Sequence, residues 1–395
     1  MRVVIAPDSF GGTLSAEQAA AAIRSGWLRA APGDELTLCP LADGGPGFVS
    51  TLHATLGGEL FAVTVRSPIG EPVPGTVLVV DSDDGYRTAY VESAQAVGLA
   101  LVPVDRRDPT LTTSYGAGEL LQAALSTGAR RIVVGLGGSG TNDAGAGMLA
   151  ALGVGPVGSI LAGGGGGLGA VTAADLTGLA EARASLAQVD LVAATDVDVP
   201  QHGLHGASAG YDPQKGATPE QAQELERALG HFSHAVVAVL GPTGIRPDLL
   251  ASSRTASPAA RLTGLPGAGA AGGLGFALAL LGARIVSGSG LVADAVGLPG
   301  LIGTAELVVT GEGSFDWQSL HGKVVAAVAE RALVHGVPTV VLAGQVMVGR
   351  REWGAAGIAA AYAVAETADD VAASVADPAR TLAARAERVA RTWTH

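Results

Sequence analysis

Lysine is almost missing from this 395-residue chain: Lys215 and Lys323 are the only two, although arginine is used freely. Both stand in glycine-flanked polar stretches, Pro213-Gln214-Lys215-Gly216 and His321-Gly322-Lys323. A lysine is a compact ammonium on a flexible stem, suited to a moving phosphoryl or carboxylate oxygen, whereas arginine is a rigid planar fork. The pair therefore reads as anion-handling, against the plainer reading that a compositional bias left two lysines capping surface loops. Cysteine is scarcer still. Cys39 alone excludes an internal disulfide and a cysteine zinc cluster, and suits a buried strand in a reducing compartment. Apolar runs are short, none approaching the roughly 20 residues of a membrane span, and Met1-Arg2-Val3-Val4-Ile5 enters a strand at once without a signal-peptide pattern. The expectation is a cytoplasmic protein. Basic patches are also lacking, and the net charge of −12 excludes nucleic acid and anionic membrane as partners. Small-molecule substrates remain, and a homo-oligomer stays open. An anionic ligand would need a site built from helix N-termini, loop amides and the scarce cations.

What is abundant is glycine and apolar residues. The 59 glycines are about twice the usual share and follow no period, so they read as many tight loops and not as a fibrous or solenoid repeat. With 48% hydrophobic residues there is material for two cores. Val3 to Ala6 is a short strand running into Pro7-Asp8-Ser9-Phe10, after which Ser15 and Gln18 form a capping box for a helix through Ile23, Trp27 and Leu28. Leu36 to Leu41 repeats the pattern with Ala42-Asp43-Gly44-Gly45-Pro46-Gly47 and a helix that Gly57-Gly58 stops. Late in the chain Leu307 to Thr310 leads into a Gly311-Glu312-Gly313 loop, and Thr339 to Ala343 into Gly344-Gln345. Between them, Asp83-Asp84-Gly85 separates two strand-like runs as a hairpin. Buried-type strands at Arg131 to Leu136 and Asp190 to Ala194 each feed a polar loop. The pattern predicts an α/β protein of two lobes: an open parallel, flavodoxin-like sheet lobe from residues 1–60 and 285–395, with a mixed-sheet α/β lobe inserted at 61–284. Gly155 to Gly169 reads as a flexible surface loop.

Several strand-end loops carry chemistry. Gly137-Gly138-Ser139-Gly140-Thr141-Asn142-Asp143 lies between a strand and a helix, where amides and hydroxyls favour an anion, although the sequence lacks the ending of a P-loop. Thr195-Asp196-Val197-Asp198 places carboxylates at a strand end ahead of the Lys215 loop, suiting a metal or an alcohol proton on one side and a phosphate on the other. His202 and His205 lack a third zinc ligand. Gly267-Ala268-Gly269-Ala270-Ala271-Gly272 matches the dinucleotide fingerprint, but Leu262 to Pro266 is no strand, so a phosphate-facing or hinge turn is expected. Glu312 and Asp316 could hold Mg²⁺, orient a hydroxyl, or serve only as turn formers.

In this order the loops resemble the bacterial glycerate kinase family. The resemblance runs from Val3 to about Gly344 through Ala6-Pro7-Asp8-Ser9-Phe10, Ala42-Asp43-Gly44-Gly45, Gly137-Gly138-Ser139, Thr141-Asn142-Asp143, Asp196-Val197-Asp198, Pro213 to Gly216, Gly267 to Gly273 and Gly311-Glu312-Gly313 with Asp316. It implies phosphoryl transfer from ATP to a hydroxyl of D-glycerate with Mg²⁺, giving phosphoglycerate. On that reading Asp196 and Lys215 are catalytic, and Asp8, Ser9, Asp43, Asn142 and Asp143 bind substrate. Gly137, Gly138, Ser139, Gly267, Gly269 and Lys323 hold nucleotide or phosphate, and Glu312 with Asp316 holds the metal. The alternative is a non-catalytic or altered-substrate relative that binds a small hydroxy acid. Gly11 and Ser314 stand where the family commonly has cations and Pro46 where it has Glu; if those cations bind the acid's carboxylate in relatives, the role falls here to Arg66, Arg106 or Arg107, or the chain prefers a different hydroxy acid.

Overall fold

The computed structural model describes residues 1–241 and 258–394. Its strands are β1 (Arg2–Ile5), β2 (Glu35–Leu38), β3 (Glu59–Arg66), β4 (Pro72–Asp81), β5 (Arg87–Glu92), β6 (Arg131–Gly135), β7 (Asp190–Ala194), β8 (Arg284–Val286), β9 (Leu307–Phe315), β10 (Thr339–Val346) and β11 (Ile358–Ala363). They form two sheets, ordered β11-β10-β9-β1-β2 and β3-β4-β5-β6-β7-β8. The chain divides into two compact units: the first is Met1–Asp43, Ser50–Gly57 and Ser287–His395, and the second is Gly44–Val49 and Gly58–Val286.

In the first unit every strand pairing is parallel. Short Val- and Ile-rich strands buried on both faces are what such a sheet requires. Val3, Ile5 and Leu342 pack on one face with Ile23 and Trp27 of the helix Ala16–Ala30 and Leu382 and Val389 of the helix Pro378–Trp393. On the other face Val341 and Ala343 pack with Val325 and Ala329. Ser15 and Gln18 form the expected capping box. Trp27 is fully buried, and its indole N–H donates to Asp34 at 2.8 Å, so the ring hides its area without stranding a polar group. The strand order matches the flavodoxin-like arrangement predicted from the alternating pattern.

One local reading needs correction. Gly311-Glu312-Gly313 is not a loop: β9 runs on to Phe315, and β10 runs beside it to Val346 with Leu342 opposite Gly311 and Gln345 opposite Ser314. A Cβ on Gly311 would lie 1.9 Å from the carbonyl oxygen of Leu342, so the glycines that look like loop punctuation are there to let two backbones meet.

In the second unit β3-β4-β5 is antiparallel and β5-β6-β7-β8 parallel. The β4–β5 turn falls at the predicted Asp83-Asp84-Gly85, with the Ser82 amide donating to the Tyr86 carbonyl at 3.2 Å. Leu120, Leu149, Phe232 and Phe276 are among the fully buried members of one core. The Gly155 to Gly169 tract is no flexible surface loop. It folds into 3₁₀ turns at Ile160–Ala162 and Gly165–Ala170, with Leu161 and Leu168 fully buried. A Cβ on Gly165 would sit 2.1 Å from the Asn142 carbonyl oxygen and one on Gly164 2.6 Å from Leu111 C, so these two are glycines because the tract packs its backbone directly on other backbone.

Candidate functional site

In each unit, polar residues gather at the carboxyl ends of parallel strands. In the first unit β1 and β9 are locked in register there: the Asp8 amide donates to Gly311 O at 2.8 Å, and the Thr310 hydroxyl to Ala6 O at 2.7 Å. This places Asp8, after β1, in the electrostatic field of Asp43, after β2, and of Glu312, within β9. Burial, then the charge of Asp43 and that of Glu312, push the Asp8 carboxyl well above its ordinary range; the Ser9 amide, donating at 2.6 Å, and the Lys323 ammonium oppose them. Burial likewise pushes Glu312 up to about 7, helped by Asp316 and Asp43 and opposed by Ser319 and Lys323. Glu312 is 8% exposed and its Oε1 has no hydrogen-bond partner.

Asp316 spends Oδ1 on its own turn, accepting from the amides of Gln318 at 2.8 Å and Ser319 at 3.3 Å. Lys323 takes the N-cap position of the helix Val324–Val334. Five sequence-derived residues, Asp8, Asp43, Glu312, Asp316 and Lys323, are thus brought into mutual influence. Among the described residues no three His, Cys, Asp or Glu side chains close into a metal cage. A Mg²⁺ held by one or two carboxylates and completed by phosphates and water needs no such cage. The buried, unpartnered oxygen of Glu312 is the kind of donor that arrangement uses.

In the second unit Gly137 to Ser139 follow β6, and Asp196 follows β7, the strand beside it. Gly137 is half-buried, Gly138 exposed, Ser139 buried and Asp196 half-buried. Gly44 and Gly45 lie on these strand ends: a Cβ on Gly44 would be 2.5 Å from Ala194 O, and one on Gly137 would be 2.7 Å from Gly45 Cα. Glu92, at the end of β5, accepts from the amides of Gly47, Phe48 and Val49; burial raises its carboxyl in spite of them.

The anion cradle expected over Gly137 to Asp143 is shorter than the sequence suggests. Residues from Ser139 to Asp143 are buried. The Asp143 carboxylate takes hydrogen bonds from the Ser114 amide and hydroxyl and from the amides of Gly145 and Gly147. Its carboxylate oxygens are occupied by protein donors, and the residue holds the turn that was expected to face a ligand. Gly267 and Gly269, also assigned to phosphate, are buried against protein. A Cβ on Gly267 would meet Ile285 and Thr195, and one on Gly269 would lie 2.3 Å from Pro200 O. They seat the loop that follows Asp196.

Lys215 is placed differently from its expected role. Its side chain is 2% exposed, with Nζ donating to Thr141 O at 2.8 Å and lying 3.7 Å from Asp212 Oδ1. Burial lowers the ammonium's pKa against the pull of Asp212 and pushes the Asp212 carboxyl up to about 6. Asn142 donates to Asp212 at 2.6 Å and to Ser208 at 2.9 Å, and its Oδ1 has no partner. The lysine therefore anchors the Thr141-Asn142 backbone from inside. Sequence reasoning missed Asp212, although its signal was present: a carboxylate three residues before a scarce lysine, across a proline. Arg66 is paired with Glu119 at 3.3 Å and lies over the Tyr115 ring, while Arg106 is paired with Glu71 at 2.6 Å. Both guanidinium groups are thus engaged with a neighbouring carboxylate, and Arg107 donates to Val102 O at 3.4 Å.

Comparison with known proteins gives this geometry a family. The sequence profile of the Glycerate kinase family matches residues 3–394. A glycerate kinase of Bacillus subtilis is 41% identical over 350 residues, 88% of this chain and 85% of that one. The glycerate 2-kinase of Escherichia coli is 40% identical over 348 residues, 87% and 85% of the two chains. The crystal structure of a putative glycerate kinase 2 from Salmonella typhimurium superposes with a TM-score of 0.75 at 35% identity, covering 99% of this chain and 98% of that one. With a two-unit α/β fold, carboxylates gathered at strand ends and a match over nearly its whole length, the chain belongs to the glycerate kinase family.

Proposed function

We propose that this protein transfers the γ-phosphoryl group of ATP to a hydroxyl of D-glycerate in the cytoplasm, with Mg²⁺. The observation that carries the reading is Glu312, a buried carboxylate with an unpartnered oxygen at the carboxyl edge of a parallel sheet, with Lys323 acting on it. Phosphoryl transfer asks a protein mainly for positioning and charge neutralisation. Glu312 and Asp316 would hold Mg²⁺, which supplies charge neutralisation to the phosphate oxygens. Lys323 adds a mobile cation beside them. Asp8, Ser9 and Asp43 offer a carboxyl-rich edge for substrate hydroxyls.

In the reaction the bond from the γ-phosphorus to the ADP oxygen breaks as a bond to the substrate oxygen forms. The hydroxyl proton passes to a carboxylate, and Asp196 is the group assigned to it. Lys215 and Asp143 act at one remove, by fixing the turn that carries Thr141 and Asn142. Because one relative is named a glycerate 2-kinase, the 2-hydroxyl is the acceptor to examine first.

Phosphorus NMR of the purified protein with ATP, Mg²⁺ and D-glycerate tests this. The expected result is a phosphomonoester signal of a phosphoglycerate growing with that of ADP, and its position identifies the 2- or 3-isomer. ATP unconsumed beyond the glycerate-free control would overturn the reading. Faster turnover of another hydroxy acid would replace D-glycerate as the substrate and leave the reaction type standing.

A further inference from the structure

A cavity of about 250 Å³ opens in the first unit, and none of the residues assigned above to metal or acid lines it. It is lined by Phe10 after β1, by Gly313 and Ser314 of β9, by Gln345 of β10, and by Val371 and Ser374 of the helix Ala368–Ala376, among others. We propose that this cavity holds the nucleobase of the nucleotide, a purine ring with its sugar and phosphates leading out toward Glu312 and Lys323. The proposal rests on the ATP dependence proposed above.

Position is the first argument. In this sheet the chain runs outward from β1 to β2 and then returns to the other side of β1 with β9. Ligands of open parallel sheets bind outside the carboxyl ends of the strands where the order reverses in this way. Size is the second. The volume lies below the roughly 300–1,000 Å³ of sites that enclose a whole drug-sized ligand, so it suits a ring system and not an entire nucleotide.

Chemistry is the third argument. None of the lining residues carries a charge, and valine, leucine and phenylalanine side chains alternate with the hydroxyls of Thr13, Ser374 and Thr381 and the Gln345 amide. That surface suits a flat neutral heterocycle with hydrogen-bonding edges and is unfit for a phosphate. Continuity is the fourth. Gly313 lines the cavity, and its neighbour Glu312 carries the unpartnered carboxylate oxygen. A neutral ring at one end and a charged, metal-binding tail at the other is the layout of a nucleoside triphosphate.

The test fills the cavity. Ser374→Trp, on the helix that forms one wall, should weaken ADP binding with Mg²⁺ at least tenfold by titration calorimetry, while inorganic pyrophosphate, which has no base, binds as to the wild type. Gln345→Ala, measured alongside, should weaken ADP and leave pyrophosphate alone, so the result does not depend on one variant folding. Unchanged ADP affinity in both variants overturns the proposal, as does a tenfold loss on Trp317→Ala, whose exposed ring lies outside the cavity. Absence of ADP binding to the wild type overturns it too. The kinase reading is judged separately by phosphorus NMR: transfer to glycerate with unaltered ADP affinity in the variants sinks the base site alone. Selective loss of ADP without any transfer sinks the kinase reading alone.

Discussion

Lys215 and Thr141 are joined by a 2.8 Å hydrogen bond from the ammonium to the main-chain carbonyl, across 74 residues of sequence. The ammonium also lies 3.7 Å from Asp212, itself the acceptor of Asn142. A buried ion pair of this kind returns little more than its desolvation cost while both partners are present, but either partner alone is expensive to bury. Its effect is to fix where the Thr141-Asn142 turn sits.

Lys215→Met should therefore lower stability by about 3–5 kcal/mol, because it leaves Asp212 buried without its counter-charge. Adding Asp212→Asn should recover most of that loss. Urea unfolding of the two single variants and the double variant measures the coupling; additive losses would show that the pair is not coupled.

Asp212 also sets a pH dependence. Its folded pKa of about 6 lies above the ordinary 3.8, so between those values the native state keeps a proton that the unfolded chain has released. The stabilisation is whole below about pH 4 and is lost as the pH rises toward 6, at about 1.4 kcal/mol per pH unit. Glu312 and Asp8, raised in the same direction, add slopes of the same sign. Asp212→Asn should flatten the denaturation profile over this window by its share, and an unchanged slope would contradict the assignment.

Gly165→Ala places a methyl 2.1 Å from the Asn142 carbonyl oxygen. Overpacking at such a site costs about 1–3 kcal/mol, and here the displaced atoms belong to the Thr141–Asp143 turn, so turnover should fall together with the melting temperature. Gly163→Ala is the control, because its Cβ meets nothing closer than 3.4 Å. Equal effects of the two would argue against a specific contact.

Glu312→Gln removes a buried charge while keeping the shape. We expect kcat/KM for ATP to fall by about a hundredfold or more, with a higher Mg²⁺ requirement, while the melting temperature holds or rises. Normal activity at limiting Mg²⁺ would remove Glu312 from the metal's neighbourhood.

If Asp196 takes the proton as proposed, Asp196→Asn should lower kcat by about a hundredfold to ten-thousandfold and leave the KM for glycerate nearly unchanged. A change confined to KM would mean that Asp196 only binds.

Much of this fold can be read from local signals. The Ser15 and Gln18 capping box, the Asp83-Asp84-Gly85 turn and the strand at Asp190 to Ala194 are each specified within a few residues, and the structure has them in place. The misreadings share one cause: a glycine that permits close approach of two backbones looks the same in sequence as a glycine that permits a turn. Gly311 and Gly165 are of the first kind, and the partners that identify them, Leu342 and Asn142, come from distant parts of the chain. The site divides in the same way. Which carboxylates end strands is visible in the pattern, but that Asp143 is consumed by four donors while Glu312 keeps an oxygen unpartnered depends on neighbours brought by folding. Asp212 escaped notice because a carboxylate beside a proline is ordinary turn chemistry until a lysine is buried against it.

Because Glu312 is mounted on a strand laddered to β10, and not on a free loop, its backbone is positioned as soon as the sheet forms. Little ordering entropy would then be left for the proposed nucleotide and metal to meet at this residue. Selection acting on affinity would have to work through the surrounding side chains, since the backbone at Glu312 is held in register opposite Ala343.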